Sequence, residues 1–229
     1  MASSTTVHSI ASALEWIDNN TSTSAIFRGQ CDAQWELESR IARNPLGRKV
    51  ELSVLEEFKR LSRPFLAIEP KNNLEWLAIA QHHGLHTRLL DWTTNPLAAL
   101  WFAAKDYKTR RADARLWTFL PDHSVELGES RDACWADPFS QTIPFIVHPP
   151  QISPRIISQN GCFTLQPFDR QSNEFVSLNT IENLVDSVVI PYACLEQLVL
   201  DLNRCGVNES FLFPGLDSLA RHIVWRNSI

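Results

Sequence analysis

The residues best suited to chemistry lie within 81–106, where a cluster of polar side chains directly precedes the start of a helix. Asn95 is a favourable N-cap residue and Pro96 fits the first helical position, so this helix N-terminus presents backbone amides that can receive an anion. The cluster upstream consists of Gln81, His82, Thr87, Arg88, Asp91, Trp92, Thr93 and Thr94. Because polar groups are costly to bury without partners, their density here predicts a functional site.

Composition and charge restrict the class of protein. With 229 residues and 44% hydrophobic content, the chain can bury one sizeable core, and its length favours a single domain. A net charge of −5 gives no broad basic field for duplex nucleic acid. The 5 cysteines are odd in number and scattered, which indicates reduced thiols and no zinc ribbon. No apolar run has transmembrane length and the N-terminus lacks a secretion signal, so we expect a soluble cytoplasmic protein without a membrane partner.

Hydrophobic periodicity predicts an α+β fold. Apolar residues recur at helical spacing within 10–17, 54–61, 74–82, 97–104, 195–202 and 216–223. Ser53 and Glu56 have the spacing of a capping box for the second of these helices. The basic residues within 40–63 are interpreted as a solvated helix face. Strand patterns occupy 25–27, 116–120, 143–147, 162–165 and 185–190. Helices at both ends of a block of strands predict a single compact domain, with small mixed or antiparallel sheets flanked by helices.

Five motifs then occur in the order of a known family. They are Phe27-Arg28-Gly29; Trp35-Glu36-Leu37 with its downstream arginines; the run from Gln81 to Thr93; Arg155-Ile156 followed by Gln159, Gly161, Phe163 and Thr164; and Phe213-Pro214-x-Leu216-Asp217. The chain thus resembles the FRG domain family over roughly residues 24 to 225. The resemblance implies an FRG domain at 24–229, on which residues 1–23 pack as an N-terminal tail and helix. It implies no reaction by itself, because the family has no assigned activity.

A second resemblance supplies a reaction. Arginine-first ADP-ribosyltransferases carry an aromatic-Arg-Gly motif on an early strand, a Ser/Thr-rich strand end before a helix, and a glutamate on a late strand. The chain is similar in that order, with Phe27-Arg28-Gly29, then Trp92-Thr93-Thr94, then the segment around Gln159. The similarity implies an ADP-ribosyltransferase-like fold and NAD as the co-substrate. NAD needs cations and backbone amides at its phosphates, hydroxyls at its ribose and an aromatic face at its ring.

The position of the family's glutamate is occupied by Gln159. A glutamine can hold a ribose hydroxyl, but it cannot act as a base at neutral pH. The missing carboxylate is therefore expected from Glu174 or Glu182 on a loop. Alternatively, His82 is the proton acceptor, because the unperturbed pKa of histidine lies near neutrality.

The leading hypothesis is an NAD-using ADP-ribosyltransferase or NAD glycohydrolase that acts as a bacterial toxin or phage-defence effector. Its predicted catalytic residues are Arg28, Gln159 and His82. Its predicted NAD-binding residues are Phe27, Arg28, Gly29, Arg88, Asp91, Trp92, Thr93 and Thr94. In this hypothesis Arg28 anchors a phosphate or a ribose, and Trp92 stacks on a ring. The acceptor is a protein, a nucleic acid or water, and a neutralising partner is compatible with such a role.

Other interpretations stay open. A nuclease or other phosphodiesterase would use His82, Arg88 and Asp91 together, whereas a non-catalytic nucleotide-binding module would hold a ligand without a proton acceptor. Arg88 and Asp91 could instead form a structural ion pair with each other. His82, His86 and Asp91 lack a fourth ligand at a characteristic spacing, so no metal is predicted. Cys162 is expected to be a buried structural thiol.

Overall fold

In the computed structural model, which describes residues 6–66, 68–119, 137–148 and 154–227, the strands form one antiparallel sheet. The strands are β1 (Ile26–Gln30), β2 (Leu89–Thr93), β3 (Ala114–Phe119), β4 (Ile146–Val147), β5 (Gly161–Leu165) and β6 (Val185–Ile190). Their order across the sheet is β4-β5-β2-β1-β3-β6, and every neighbouring pair is antiparallel. The α+β class and the antiparallel sheet expected from the sequence are confirmed.

Helices connect these strands. They are α1 (Ile10–Asn20), α2 (Gly47–Ser62), α3 (Asn73–His82), α4 (Pro96–Ala104), α5 (Tyr107–Arg110), α6 (Pro154–Ser158), α7 (Tyr192–Arg204), α8 (Glu209–Leu212) and α9 (Leu216–Asn227). Single 3₁₀ turns lie at Arg63–Phe65, Pro138–Ser140 and Leu178–Thr180. Among the described helices, none is long and apolar enough to cross a bilayer.

Side-chain caps fix several helix starts. The Asn95 side chain accepts a hydrogen bond from the Leu97 amide at 3.0 Å, and Pro96 occupies the first helical position of α4, as the sequence predicts. The capping box predicted at Ser53 and Glu56 is wrong. Helix α2 begins earlier, at Gly47, so Ser53 lies inside it and donates to the Val50 carbonyl oxygen at 2.8 Å.

The sequence patterns located the longer helices and five of the six described strands, but missed β2 and the short helices α5, α6 and α8. Strand β6 was predicted with its observed bounds, and β1, β3, β4 and β5 were predicted with shifted ends. Leu120, the last residue of the strand predicted at 116–120, lies outside the described residues. Strand β2 was missed because its sequence, LLDWT, was interpreted as part of a polar segment before the helix. Asp91 is the one exposed residue of this strand and the other four are buried, so the strand lacks the alternating pattern of a half-exposed strand.

Side chains of the described strands enter three core clusters, one of which packs Leu89, Phe163 and Leu165 against α2 and α3. On one face of the sheet Phe27, Leu116 and Val188 pack against α1, α4 and α7. On the other face Ile26, Leu90, Trp92, Trp117 and Phe119 pack against side chains from loops, including Leu37, Leu178 and Leu184. The helices therefore fix the backbone of β1 and β2 from one side and the loops fix it from the other.

The sheet separates between its two central strands. Strands β1 and β2 share the single registered pair Phe27 with Thr93 in the described structure. By contrast, β1 pairs with β3 from Ile26 to Gln30, and β2 pairs with β5 from Leu89 to Thr93. Beyond the Phe27–Thr93 pair the two half-sheets diverge, and a cleft lined by residues of both strands opens between them.

Candidate functional site

A cleft of about 570 Å³ occupies the gap between the half-sheets. This volume is in the range of pockets that bind small molecules and cofactors. Its charged lining residues are Arg28, Glu38, Arg40, Arg43, Asp91, Lys105, Asp106, Arg110 and Arg155. Six of these are basic and three are acidic, whereas the whole chain has a net charge of −5. The cleft is therefore a positive region on an acidic protein, which favours an anionic ligand.

Arg28 spans the gap between β1 and β2. Its Nη1 donates to the backbone oxygen of Asp91 at 2.6 Å and lies 4.0 Å from the Asp91 carboxylate. Its Nε is buried and has no hydrogen-bond partner among the described residues. Burial lowers the pKa of Arg28, the Asp91 carboxylate opposes this effect, and Arg43 and Arg40 lower the pKa further. The positive charge of the guanidinium group is thus only partly offset by other groups of the protein.

Asp91 presents its carboxylate to the cleft. The side chain is 65% exposed, and Oδ1 accepts a hydrogen bond from Gln81 Nε2 at 3.1 Å. Gln81 is itself fixed, because Nε2 also donates to the Leu89 carbonyl oxygen at 3.1 Å and Oε1 accepts from the Thr87 hydroxyl. The carboxylate is therefore oriented by its neighbours while it stays open to a ligand.

Arg155 contributes a second cation from the opposite wall. Its guanidinium carbon lies 4.7 Å from the centroid of the Phe213 ring, and the described residues provide it with no ion pair. Burial lowers the pKa of Arg155; Asp91 opposes the shift and Arg40 adds to it. Arg40, which also lines the cleft, is exposed and has no ion-pair partner in the described part of the chain. Arg40 is therefore close enough to Arg155 for its charge to act on that guanidinium group.

His82 lies at the end of α3 and lines the same cleft. Burial lowers its pKa, the positive charges of Arg155 and His83 lower it further, and Asp91 partly opposes them. The ring packs edge-on against His83, with 5.0 Å between centroids. At neutral pH this imidazole is consequently uncharged, the form in which a histidine accepts a proton.

Gln159 follows α6 and lines the cleft with Arg28. Its Nε2 donates to the Leu212 carbonyl oxygen at 2.9 Å, and its backbone oxygen accepts from the Thr93 hydroxyl at 2.6 Å. The amide group is thus held with its donor towards the protein. Among the described contacts its Oε1 has no partner, so a ligand hydroxyl can donate to it.

Arg88 does not belong to the cleft, contrary to its predicted role in NAD binding. It is fully buried, and Nε and Nη2 donate to the two carboxylate oxygens of Glu51, while Nη1 donates to the Pro138 carbonyl oxygen at 2.8 Å. The predicted pair with Asp91 is also wrong, because residues three apart on an extended chain point to opposite sides. The proposed nuclease cluster of His82, Arg88 and Asp91 is therefore not assembled.

Gly29 has a structural explanation of its own. A Cβ atom at this position would lie 1.9 Å from the Ala99 carbonyl oxygen and 2.5 Å from the Ala103 amide nitrogen. Only glycine lets α4 approach β1 this closely. Phe27, also predicted to bind NAD, is 5% exposed and packs in the helix-covered core. Both residues border the cleft, but they shape it through backbone and packing.

Trp92 and the two threonines also differ from expectation. The Trp92 ring is 3% exposed, and its Nε1 donates to the Thr164 hydroxyl at 2.8 Å, so it is a core side chain and not an open stacking platform. The Thr93 hydroxyl is engaged by Gln159 and by the Asn95 amide. Thr94 is exposed and does not line the cleft.

The sequence analysis missed an aromatic residue in the cleft. Trp35 is half-buried and lines the cleft, with the guanidinium carbon of Arg110 at 4.6 Å and that of Arg43 at 5.6 Å from a ring centroid. Trp35 and the arginines after it belong to the quoted family motifs. The arginines were not assigned to the site because basic residues that are close together in sequence usually form a solvated helix face.

The carboxylates expected from a loop are absent from the cleft. Glu174 and Glu182 are exposed and do not line it. Among the lining carboxylates, Asp106 pairs with Lys105 at 2.7 Å. Glu38 is half-buried and is not among the charges that shift the pKa of Arg28, His82 or Arg155, whereas the charge of Asp91 acts on all three. Asp91 is thus the carboxylate best placed for chemistry. The described residues contain no group of three His, Cys, Asp or Glu side chains that could hold a metal ion.

The cysteines in the described residues are free thiols. Cys162 borders the cleft but is 1% exposed, and burial raises its pKa to about 12. The interpretation of Cys162 as a buried thiol is confirmed. Cys134 lies outside the described residues.

Comparison with known proteins gives one match. Residues 23–112 match the family model of the FRG domain. This span contains β1 and β2, together with α2, α3 and α4, and so includes Arg28, Trp35, Arg40 and Asp91. No curated protein and no solved structure matches the chain.

Proposed function

We propose a function from the cleft itself: an NAD-using ADP-ribosyltransferase or NAD glycohydrolase. The FRG domain model that residues 23–112 match names no activity. One observation carries the proposal. Arg28 and Arg155 lie in the field of the exposed Asp91 carboxylate, and Arg40 lies close to both arginines, in a cleft formed where the central strands separate.

The three arginines favour a ligand with two or more negative charges. Like charges in a partly buried site repel one another, and a phosphate group removes that cost while it accepts several charge-assisted hydrogen bonds. Arg28 keeps 19% of its side chain exposed at the cleft, where it can donate to such a group. The pyrophosphate of a dinucleotide meets this requirement better than an uncharged ligand does.

Asp91 supplies the chemistry at the nicotinamide ribose, next to the phosphate that Arg28 binds. When the bond between ribose C1′ and the nicotinamide nitrogen breaks, its electron pair leaves with nicotinamide and the ribose gains positive charge. The Asp91 carboxylate, oriented by Gln81, stabilises that charge electrostatically. Water or an acceptor hydroxyl then bonds to C1′, and its proton passes to uncharged His82 or to Asp91.

Gln159 orients the reacting ribose. Its Nε2 is held by the Leu212 carbonyl oxygen, which leaves Oε1 to accept a hydrogen bond from a ribose hydroxyl. In this assignment Asp91 takes the place of the glutamate that ADP-ribosyltransferases carry on a late strand.

The biological setting is part of the proposal. An enzyme that cleaves NAD, or that attaches ADP-ribose to a protein or nucleic acid, would arrest growth as a bacterial toxin or phage-defence effector. Such an effector would act in the cytoplasm and require a neutralising partner. This step rests on analogy with other small transferases.

The test is NAD labelled separately in its nicotinamide and adenosine portions. Wild-type protein with a cell extract should release nicotinamide, and the adenosine label should move to protein, nucleic acid or free ADP-ribose. Asp91→Asn should lower release by about a hundredfold. Glu174→Gln, an exposed carboxylate outside the cleft, is the matched control and should behave as wild type.

Two outcomes would reject the proposal. If the wild-type protein binds NAD but never releases nicotinamide, the cleft is a non-catalytic nucleotide-binding site. If Asp91→Asn releases nicotinamide as fast as wild type, Asp91 is not the reacting carboxylate.

A further inference from the structure

We propose that Trp35, together with Arg43 and Arg110, stacks the adenine base of the dinucleotide, and that this contact sets the ligand's direction in the cleft. The inference rests on the proposed function, because it assumes that the ligand is NAD. It assigns the adenine base to one end of the cleft and the nicotinamide ribose to Asp91 at the other.

Trp35 is held firmly enough to serve as a platform. It lies in the turn after β1, where the Trp35 amide donates to the Asp32 carbonyl oxygen at 3.3 Å and Gln30 Nε2 donates to the Glu36 carbonyl oxygen at 3.2 Å. Two residues further on, the Leu37 amide donates to Asn179 Oδ1 at 2.8 Å. The backbone on each side of the ring is therefore anchored to other parts of the fold.

The surroundings of the ring are those of a base-stacking site. The ring is half-buried in the cleft wall, and two guanidinium groups lie within 5.6 Å of its centroids. A planar base gains from stacking on an indole and on a guanidinium plane, and this gain depends little on hydrogen bonding to the base edge. Arg40, close along the chain, is free to contact the phosphate that follows the base.

Charge distinguishes the two ends of NAD. The nicotinamide ring of NAD is a cation, whereas adenine is uncharged at neutral pH. Arg43 and Arg110 beside Trp35 would repel the cationic ring, so the uncharged base is favoured there. Asp91 provides the opposite field at the other end, where the ribose becomes positive during cleavage. The pyrophosphate then lies between these ends, within reach of Arg28 and Arg40.

Calorimetry with the two halves of the ligand tests this assignment. AMP carries the adenine half, nicotinamide mononucleotide carries the other half, and ADP-ribose lacks only nicotinamide. Trp35→Ala should weaken AMP and ADP-ribose binding about tenfold or more, while Trp35→Phe should retain most of the affinity. Affinity for nicotinamide mononucleotide should change less than about twofold. Trp225→Ala, a half-buried tryptophan outside this cleft, is the control.

The outcomes separate this inference from the proposed function. If Trp35→Ala binds and cleaves NAD as wild type does, the stacking site is wrong while the proposed function stands. If Trp35→Ala loses nicotinamide mononucleotide and keeps AMP, the direction of the ligand is reversed and the inference fails. If AMP binds through Trp35 but NAD is never cleaved, the inference holds and the proposed function fails. If wild type binds neither AMP nor ADP-ribose, the inference is overturned.

Discussion

The guanidinium group of Arg28 donates a 2.6 Å hydrogen bond to the backbone oxygen of Asp91 across the line where β1 and β2 separate. One side chain thereby joins the two half-sheets at the mouth of the cleft. The same side chain leaves its Nε without a partner and stands beside an exposed carboxylate. Arg28 therefore connects the half-sheets and is also proposed to bind the ligand. Substitutions of Arg28 should affect both the stability of the fold and the affinity for the ligand.

We predict that Arg28→Ala weakens NAD binding by about tenfold to a hundredfold, the loss expected for a charge-assisted hydrogen bond. Arg28→Lys should recover only part of the affinity, because an ammonium group lacks the bidentate fork. Both variants should also melt at a lower temperature, since the bond to Asp91 closes the sheet. Arg204→Ala, whose side chain is 72% exposed on α7, serves as the calorimetric control. Equal NAD affinity in wild type and both Arg28 variants would remove Arg28 from the site.

The sequence located elements whose signals are local, but it did not predict contacts between residues that are distant in the chain. Helical periodicity and the cap at Asn95 located α4, because those signals are local. The partner of Arg88 could not be inferred in this way, since Glu51 lies 37 residues away in the chain. Asp91 was assigned to a polar segment before a helix, and only its place on β2 shows that it faces away from Arg88. Trp35 became a site residue only when folding brought Arg110 to its ring.

The buried pair of Arg88 and Glu51 should be a major contribution to stability once one partner is removed. Among the described residues, Arg88→Ala leaves the Glu51 carboxylate, whose side chain is 3% exposed, with Arg48 as its one remaining ion-pair partner. We expect a loss of about 3–5 kcal/mol in the free energy of unfolding. Arg60→Ala removes a pair at 4.0 Å whose side chains are mostly exposed, and should cost less than about 1 kcal/mol. Urea denaturation of both variants measures the difference, and similar midpoints would refute it.

Gly29 should be intolerant of any side chain for reasons of packing. A Cβ atom there meets backbone atoms of α4, which cannot rotate away as a side chain can. Gly29→Ala should lower stability by about 1–3 kcal/mol or more, or prevent folding. At Gly161 the nearest atom to a new Cβ is 3.6 Å away, so Gly161→Ala should be tolerated. Circular dichroism melts of the two variants provide the comparison; a stable Gly29→Ala protein would show that α4 can move from β1.

Gln159 should act mainly on turnover. Because a hydrogen bond to the ribose strengthens as charge develops, Gln159→Ala should lower the rate of NAD cleavage more than it weakens NAD binding. Gln159→Glu should retain measurable cleavage, since a carboxylate also stabilises positive charge on the ribose. Comparison of kcat with the dissociation constant for NAD separates these effects. A proportional loss of binding and turnover in Gln159→Ala would assign the residue to ground-state binding alone.

His82 should make stability depend on pH on the acidic side of neutrality. Its pKa in the fold lies below the ordinary value of 6.5, because of burial and the charges of Arg155 and His83, with Asp91 opposing. Between these two pKa values the unfolded chain binds more protons, so stability should fall as pH drops below about 6.5. His82→Asn should reduce this dependence in melts from about pH 7.5 to about pH 5.5, and His86→Asn, which is exposed outside the cleft, should not. An unchanged slope in His82→Asn would show that other groups control it.

The most direct measurement is a crystal structure of the Asp91→Asn variant soaked with NAD, in which binding is retained and cleavage is suppressed. The account predicts NAD in the cleft between β1 and β2, with its pyrophosphate within hydrogen-bond distance of Arg28. It also predicts the nicotinamide ribose beside residue 91 and Gln159. NAD bound elsewhere on the molecule, or an empty cleft at saturating NAD, would contradict the account.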